Sequence, residues 1–78
     1  MADLELDATG LLCPLPVLKA RKAIKSLPDR GRLKVLATDP GSVQDMAAFC
    51  TSQGHTLLES DERDGVFTFL IEKIEKPG

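Results

Sequence analysis

Residues 10–18 read GLLCPLPVL, which places Cys13 directly before two closely spaced prolines. Proline is best tolerated in the first turn of a helix, where the N–H that it lacks would have no intrahelical partner. The stretch predicts a helix that begins at Pro14 with Cys13 as N-cap, or slightly later because Pro16 disfavours helical geometry at Leu15. In either register the Cys13 sulfur is expected at the positive end of the helix dipole, which favours the nucleophilic thiolate.

The apolar pattern on both sides of this stretch predicts six elements. Alternation indicates strands, and spacings of three and four indicate helices. The predicted elements are a strand at 4–8, a helix at 14–27, a strand at 32–38, a helix ending at Gly54, and strands at 55–59 and 66–74. Two helices are enough to cover one side of the sheet. The expected fold class is therefore α/β (α+β): a two-layer β-α-β-α-β-β sandwich with a four-stranded mixed sheet and both helices on one face.

The second helix has two possible starts. Asp39 can be the N-cap with Pro40 at the first position, or Ser42 can be the N-cap with Asp45 three residues later. Its predicted buried stripe is Val43, Met46, Ala47 and Cys50, with Phe49 at the edge.

The last two strands are predicted to form a hairpin. Residues 61–65 read DERDG, a polar turn that ends in the Asp-Gly hairpin signal. Phe67, Phe69 and Ile71 share one side of the final strand. Together with Phe49, the two phenylalanines are all the aromatic residues of the chain, and we expect the three rings to meet in the core.

Length and composition limit the class of protein. Seventy-eight residues allow a single domain, 1–78, without room for a built-in cofactor fold, so no cofactor is expected. No apolar run approaches the ~18–20 residues that span a membrane. Residues 1–7 contain three acids and no base, so we expect no secretory or transit peptide. Two cysteines 37 positions apart suit neither a disulfide scaffold nor a metal cluster, which favours a cytoplasmic chain with reduced thiols.

The charge is unevenly distributed along the chain. The net charge is −2, yet seven of the ten basic residues lie between positions 17 and 34. Four of them are on the first predicted helix: Lys19, Arg21, Lys22 and Lys25. They form either a docking face for an acidic partner or simply the solvated side of a helix. Direct nucleic-acid binding is not expected, since buried phenylalanines leave no stacking platform.

Cys13 is the candidate for chemistry. Pro16 occupies the position of the second thiol of a Cys-x-x-Cys pair, so an internal redox cycle is excluded. A single activated sulfur can attack a persulfide, hold the extra sulfur and pass it on. The alternative is an apolar cysteine packed beside Leu12. Cys50 is expected to pack in the core. A Cys13–Cys50 disulfide is the alternative that the sequence leaves open.

Three further polar residues are given no chemical role. His55 is expected to be an ordinary residue at the start of a strand, and Asp39 and Asp45 helix-start residues rather than a catalytic carboxylate pair. No phosphate-binding glycine loop or zinc cluster is present in the sequence.

The motif Leu6-Asp7-x-x-Gly10-Leu11-x-Cys13-Pro14-x-Pro16, followed by a basic helix, resembles the TusA/SirA family of small sulfur-carrier proteins. A second block lies where that family would have one: Leu33-x-Val35, Thr38-Asp39-Pro40, Asp45 and Gly54-His55. The resemblance implies the same six-element sandwich. It also implies that Cys13 becomes a persulfide, supported by Gly10, Pro14 and Pro16.

The resemblance further implies protein partners. Sulfur would arrive from a cysteine desulfurase or a rhodanese-like donor, and leave to a DsrE-like acceptor protein, toward 2-thiouridine in tRNA or within sulfur oxidation. The chain would then be a sulfurtransferase that acts as a protein-bound carrier. Separately, we expect it to be a monomer when free. The alternative is a non-catalytic binding or regulatory module that uses the basic first helix.

Overall fold

The computed structural model describes residues 2–75 and forms one four-stranded sheet with two helices. Its elements are β1 (Leu4–Ala8), α1 (Leu15–Ile24), β2 (Arg32–Ala37), α2 (Gly41–Gln53), β3 (Thr56–Arg63) and β4 (Val66–Glu72). The strand order is β1-β2-β4-β3, with β1 parallel to β2 and β4 antiparallel to both of its neighbours. Helix α1 packs on β1 and β2, α2 packs on β3 and β4, and the helices touch each other, so they share one side of the sheet. The predicted two-layer sandwich is confirmed.

Alternation along β2 and β4 builds the core. In β2, Leu33 and Val35 are completely buried, while the residues between them are partly exposed. The antiparallel register places Leu33 opposite Ile71 and Val35 opposite Phe69, both also completely buried. Because side chains alternate across a strand, these positions all lie beneath the helices. Phe67 is half-buried and packs against the same cluster.

Helix α1 ends at Ile24, earlier than the predicted end at Leu27. Most of the predicted apolar stripe is correct: Ala20 and Ile24 are buried, Leu27 follows in a turn and is also buried, and Val17 is partly buried. The Nζ of Lys73, just after β4, donates to the carbonyl oxygen of Leu27 at 2.5 Å and to that of Lys25 at 3.4 Å. The last carbonyl groups of a helix have no backbone N–H partner within the helix. The Lys73 ammonium group supplies hydrogen bonds to them at the negative end of the helix dipole.

The buried stripe predicted for α2 is wrong in part. The buried residues are Ser42, Met46, Phe49 and Cys50, whereas Val43 and Ala47 are exposed. Turning the helix toward Phe49 buries a large ring instead of a methyl group, and apolar burial scales with area. The Phe49 ring lies 5.7 Å from that of His55, centroid to centroid. The Ser42 hydroxyl is satisfied by donating to the Asp39 carbonyl oxygen at 2.6 Å.

The hairpin is longer and its turn tighter than predicted. Strand β3 runs to Arg63, so only Asp64 and Gly65 form the turn, with φ of 51° and 79°. Two left-handed residues give the twist that joins antiparallel strands, and Asp-Gly is a preferred pair there. The register shifts between Leu57 and Glu59, where β3 carries one extra residue. The polar residues assigned to a loop are therefore strand residues, held by backbone pairing rather than burial.

Replacing Phe49 and Val43 by alanine separately tests the orientation of α2. Phe49→Ala should lower the free energy of unfolding by about 3–5 kcal/mol, because it empties a core position. Val43→Ala should change it by no more than about 0.5 kcal/mol, since that side chain faces water. Urea denaturation measures both. Equal losses in the two variants would contradict the observed orientation.

Candidate functional site: the Cys13 loop

The site lies where β1 and β2 end side by side. The two strands are parallel neighbours, and their last residues, Ala8 and Ala37, are paired. Their carboxyl ends therefore meet at one edge of the sheet, the usual place for a site in an open α/β sheet. The loop after β1 carries Cys13, and the loop after β2 carries Asp39.

Short hydrogen bonds fix the first loop. Asp7 Oδ1 accepts the backbone N–H of Thr9 at 3.0 Å and its hydroxyl at 2.7 Å, and these bonds lower the pKa of Asp7. Gly10 has a φ of 80°, a conformation that favours glycine. Its N–H donates to Thr38 Oγ1 at 2.8 Å. Thr38 lies beyond the end of β2 rather than in the strand, and it ties the two loops together.

The helix begins at the later of the two predicted starts. Helix α1 starts at Leu15 with Pro14 as N-cap, and no side chain caps it. Pro16 lies in the first turn and is buried, and the Cys13–Pro14 peptide bond is cis. Cys13 precedes the N-cap, so its assignment as N-cap is wrong. The cause is the backbone of Pro14, whose φ of −97° and ψ of 15° are not helical.

Two carboxylates surround Cys13. Its backbone N–H donates to Asp39 Oδ2 at 2.6 Å, and its thiol donates to Asp45 Oδ2. The other oxygen of Asp39, Oδ1, accepts the N–H of Gly41 at 3.2 Å, so Asp39 links the Cys13 loop to the start of α2.

These contacts raise the pKa of Cys13 to about 11. The hydrogen bond to Asp45 is the largest cause, followed by desolvation and by the charges of Asp45 and Asp39. The expectation that the helix start favours the thiolate is wrong. The sulfur precedes the N-cap, where the dipole weakens, and the Asp45 carboxylate is in direct contact with it.

Asp39 and Asp45 are the site residues that the sequence analysis missed. Asp39 precedes the N-cap Pro40, and Asp45 lies one turn into α2. No Ser42–Asp45 capping box forms, because Ser42 bonds to the Asp39 carbonyl and Asp45 bonds to the thiol. The signal was present: parallel β1 and β2 bring the residues after one strand beside those after the other.

Cys13 is partly accessible, and three leucines close to it in sequence are exposed. The thiol is free and half-buried. Leu12 is 73% exposed, Leu15 46% and Leu18 51%, so the neighbouring leucines face outward. The alternative of an apolar cysteine packed beside Leu12 is not favoured, because Leu12 is exposed and the thiol contacts Asp45.

The four predicted docking residues, Lys19, Arg21, Lys22 and Lys25, are all exposed. Arg21 lines a groove of about 310 Å³ between the helices, together with Leu18 and Asp45. Lys19 and Lys22 instead line a depression beside Leu6 of β1. The structure therefore brings Arg21 to the groove beside the thiol and places the two lysines on another side of α1.

Cys50 and His55 have structural positions. Cys50 is buried in the core, where desolvation raises its pKa to about 11, and it forms no disulfide with Cys13. His55 precedes β3, and its Nδ1 accepts the N–H of Ile74 at 3.1 Å. Between residues 2 and 75, no group of three His, Cys, Asp or Glu side chains is arranged to hold a metal ion. Neither described helix has the length and apolar character needed to cross a membrane.

Comparison with known proteins identifies the family. A family model described as sulfurtransferase TusA matches residues 4–73. The sulfur carrier protein TusA of Allochromatium vinosum is 52% identical over 71 residues, covering 91% of this chain and 93% of the relative. A putative sulfur carrier protein of Neisseria meningitidis serogroup A is 51% identical over 67 residues, covering 86% of this chain and 90% of the relative. A crystal structure of a SirA-like protein from Desulfitobacterium hafniense superposes with a TM-score of 0.81 at 32% identity, covering 92% of this chain and 99% of that one. The chain belongs to the TusA family.

Proposed function

We propose that this protein is a sulfur carrier that receives sulfur on Cys13 from a donor protein and delivers it to an acceptor protein. The observation that carries the proposal is a free, partly accessible thiol beside the carboxyl ends of β1 and β2, in a chain whose relatives are named sulfur carriers. Gly10, Pro14 and Pro16 support the loop that presents it.

The transfer needs no oxidant or cofactor. Cys13 Sγ, after giving up its proton, attacks the outer sulfur of a donor persulfide, R–S–SH. A new S–S bond forms on Cys13 while the S–S bond of the donor breaks. The donor sulfur leaves as a thiolate and takes up one proton, which leaves R–SH and Cys13–S–SH. Delivery to the acceptor is the same exchange with Cys13 as the leaving group.

The surroundings of the thiol suit a macromolecular donor and acceptor. Exposed Leu12, Leu15 and Leu18 provide an apolar rim that a partner can cover, which excludes water from the exchanging sulfurs. By family resemblance, the donor is a cysteine desulfurase or a rhodanese-like protein and the acceptor is DsrE-like. Two reduced thiols and no disulfide are consistent with a cytoplasmic location.

The basic residues of α1 serve as docking contacts. Lys19, Arg21, Lys22 and Lys25 are exposed, and none shares an ion pair with a carboxylate among the described residues. Charges at the rim of an interface mainly accelerate the encounter with an oppositely charged partner. Of these four residues, Arg21 is the one nearest the transfer site, because it lines the groove that also contains Asp45.

Replacing Cys13 by serine tests the site of sulfur loading. Incubation of the parent protein with a cysteine desulfurase and cysteine should add ~32 Da per sulfur, located on the Cys13 peptide by mass spectrometry. Cys13→Ser should remain unloaded, because the hydroxyl cannot form a persulfide. Cys50→Ser is the matched control and should load like the parent, since Cys50 is buried. Full loading of Cys13→Ser would refute the proposal.

Charge reversal on α1 tests docking. Arg21→Glu, and separately the double variant Lys19→Glu/Lys22→Glu, should slow loading by the desulfurase about tenfold at low salt. The difference from the parent should shrink at high salt, because exposed charges are screened. Stopped-flow or quenched loading assays measure the rates. A binding or regulatory module would instead retain its function in Cys13→Ala and lose it on charge reversal.

A further inference from the structure

The surroundings of Cys13 are unfavourable for a nucleophile. Asp39 bonds to its backbone N–H and Asp45 to its thiol. Across residues 2–75, the ion pairs within 4.0 Å are Arg30–Glu72 and Arg32–Glu72, and neither involves Asp39 or Asp45. With a pKa of about 11, roughly one Cys13 in ten thousand is a thiolate at neutral pH. The free protein therefore presents a protonated thiol at the position where a carrier needs a nucleophile.

The two carboxylates are held differently. Asp39 accepts two backbone N–H groups, from Cys13 and Gly41, so its carboxylate is fixed by the fold. Asp45 is half-buried on α2, and its carboxylate accepts a hydrogen bond from the Cys13 thiol. It also lines the groove of about 310 Å³ between the helices, which is open at the surface. A side chain from another protein can reach Asp45 through this groove without unfolding either loop.

We propose that Asp45 is a specificity-determining residue that keeps Cys13 protonated in the free carrier, and that a partner protein activates the thiol by placing a Lys or Arg against Asp45. This rests on the proposed function, since it concerns loading of Cys13. The charged groups around the thiol are Asp39 from the loop after β2, Asp45 from α2, and Arg21 of α1 across the groove. Arg21 forms no ion pair with Asp45 among the described residues, so the compensating cation comes from outside.

The magnitudes are sufficient for such control. An opposite charge within about 4–6 Å of an acid lowers its pKa by about 1 to 3, which raises the thiolate population about 10- to 1,000-fold. A partner cation against Asp45 also offsets the largest cause of the raised pKa of Cys13. Small electrophiles and free polysulfide bring no cation, so they meet a protonated thiol. The carrier thereby takes sulfur from a docked protein in preference to sulfur in solution.

The first test measures alkylation of Cys13 by iodoacetamide against pH, with the modified peptide quantified by mass spectrometry. In the parent protein the midpoint should lie at about 11. Asp45→Asn keeps the shape but removes the charge, and should move the midpoint down toward 9.0, the ordinary value for cysteine. At neutral pH the thiolate population then rises ~100-fold. Because a thiolate of lower pKa is a weaker nucleophile, alkylation should accelerate only about tenfold.

The controls distinguish an effect of Asp45 on the protonation of Cys13 from damage to the fold. Asp61→Asn removes an exposed carboxylate of β3, the outer strand at the opposite border of the sheet from β1, and should leave the alkylation profile unchanged. Cys50 is buried and reports unfolding, because it should stay unmodified in every folded variant. If Asp45→Asn exposes Cys50, Asp45→Ser provides a second variant without the charge. An unchanged Cys13 midpoint in a folded Asp45 variant would overturn the proposal.

The second test compares two sulfur sources. Asp45→Asn should load about tenfold faster than the parent from inorganic polysulfide. From a cysteine desulfurase with cysteine, where the partner already activates the thiol, it should gain less than twofold. Equal gains from both sources would overturn activation by the partner. Alkylation involves no sulfur transfer, so it tests the effect of Asp45 on Cys13 independently of the carrier function. The carrier function itself is tested by the loading of Cys13→Ser.

Discussion

Parallel pairing of β1 with β2 is the constraint on which the site depends. It brings the carboxyl ends of two strands to one edge of the sheet, and with them Cys13 and Asp39, which lie 26 positions apart in the chain. Gly10 and Thr38 form the second bond between these loops. Both bonds use backbone N–H groups, so the position of the thiol follows from the strand register rather than from the packing of its own side chain.

The pKa of Cys13 depends on two opposing influences, the helix dipole and the nearby carboxylates, and the carboxylates have the larger effect. A helix start offers a partial positive charge, and its influence falls off within about one turn. Cys13 precedes the N-cap of α1, whereas Asp45 bonds directly to the sulfur. Full charges at contact distance outweigh the partial charges of the helix end, particularly where burial reduces solvation. In this TusA-family protein the half-buried Cys13 thiol therefore has a raised pKa.

Local patterns were enough to predict the sandwich and the stripe of α1, because alternation and helical spacing depend on neighbouring residues. They failed where distant residues compete. The orientation of α2 depends on Phe49 finding space beside His55, and β3 extends to Arg63 because β4 offers it a partner strand. Cys13, Gly10 and Pro16 could be proposed as site residues from the sequence because the pattern that singles them out is local. Asp45 was missed as a site residue because its contact with the thiol spans 32 positions.

The separation of charge along the chain has a consequence at the borders of the sheet. Both outer strands carry acids: Glu5 and Asp7 on β1, and Glu59, Asp61 and Glu62 on β3. Outer strands have unpaired backbone groups that invite a strand from another molecule. Borders of the same sign repel one another, so two copies of the protein resist joining their sheets even when they are crowded. The acidic outer strands thus disfavour aggregation through the edges of the sheet and leave the basic helix available for recognition.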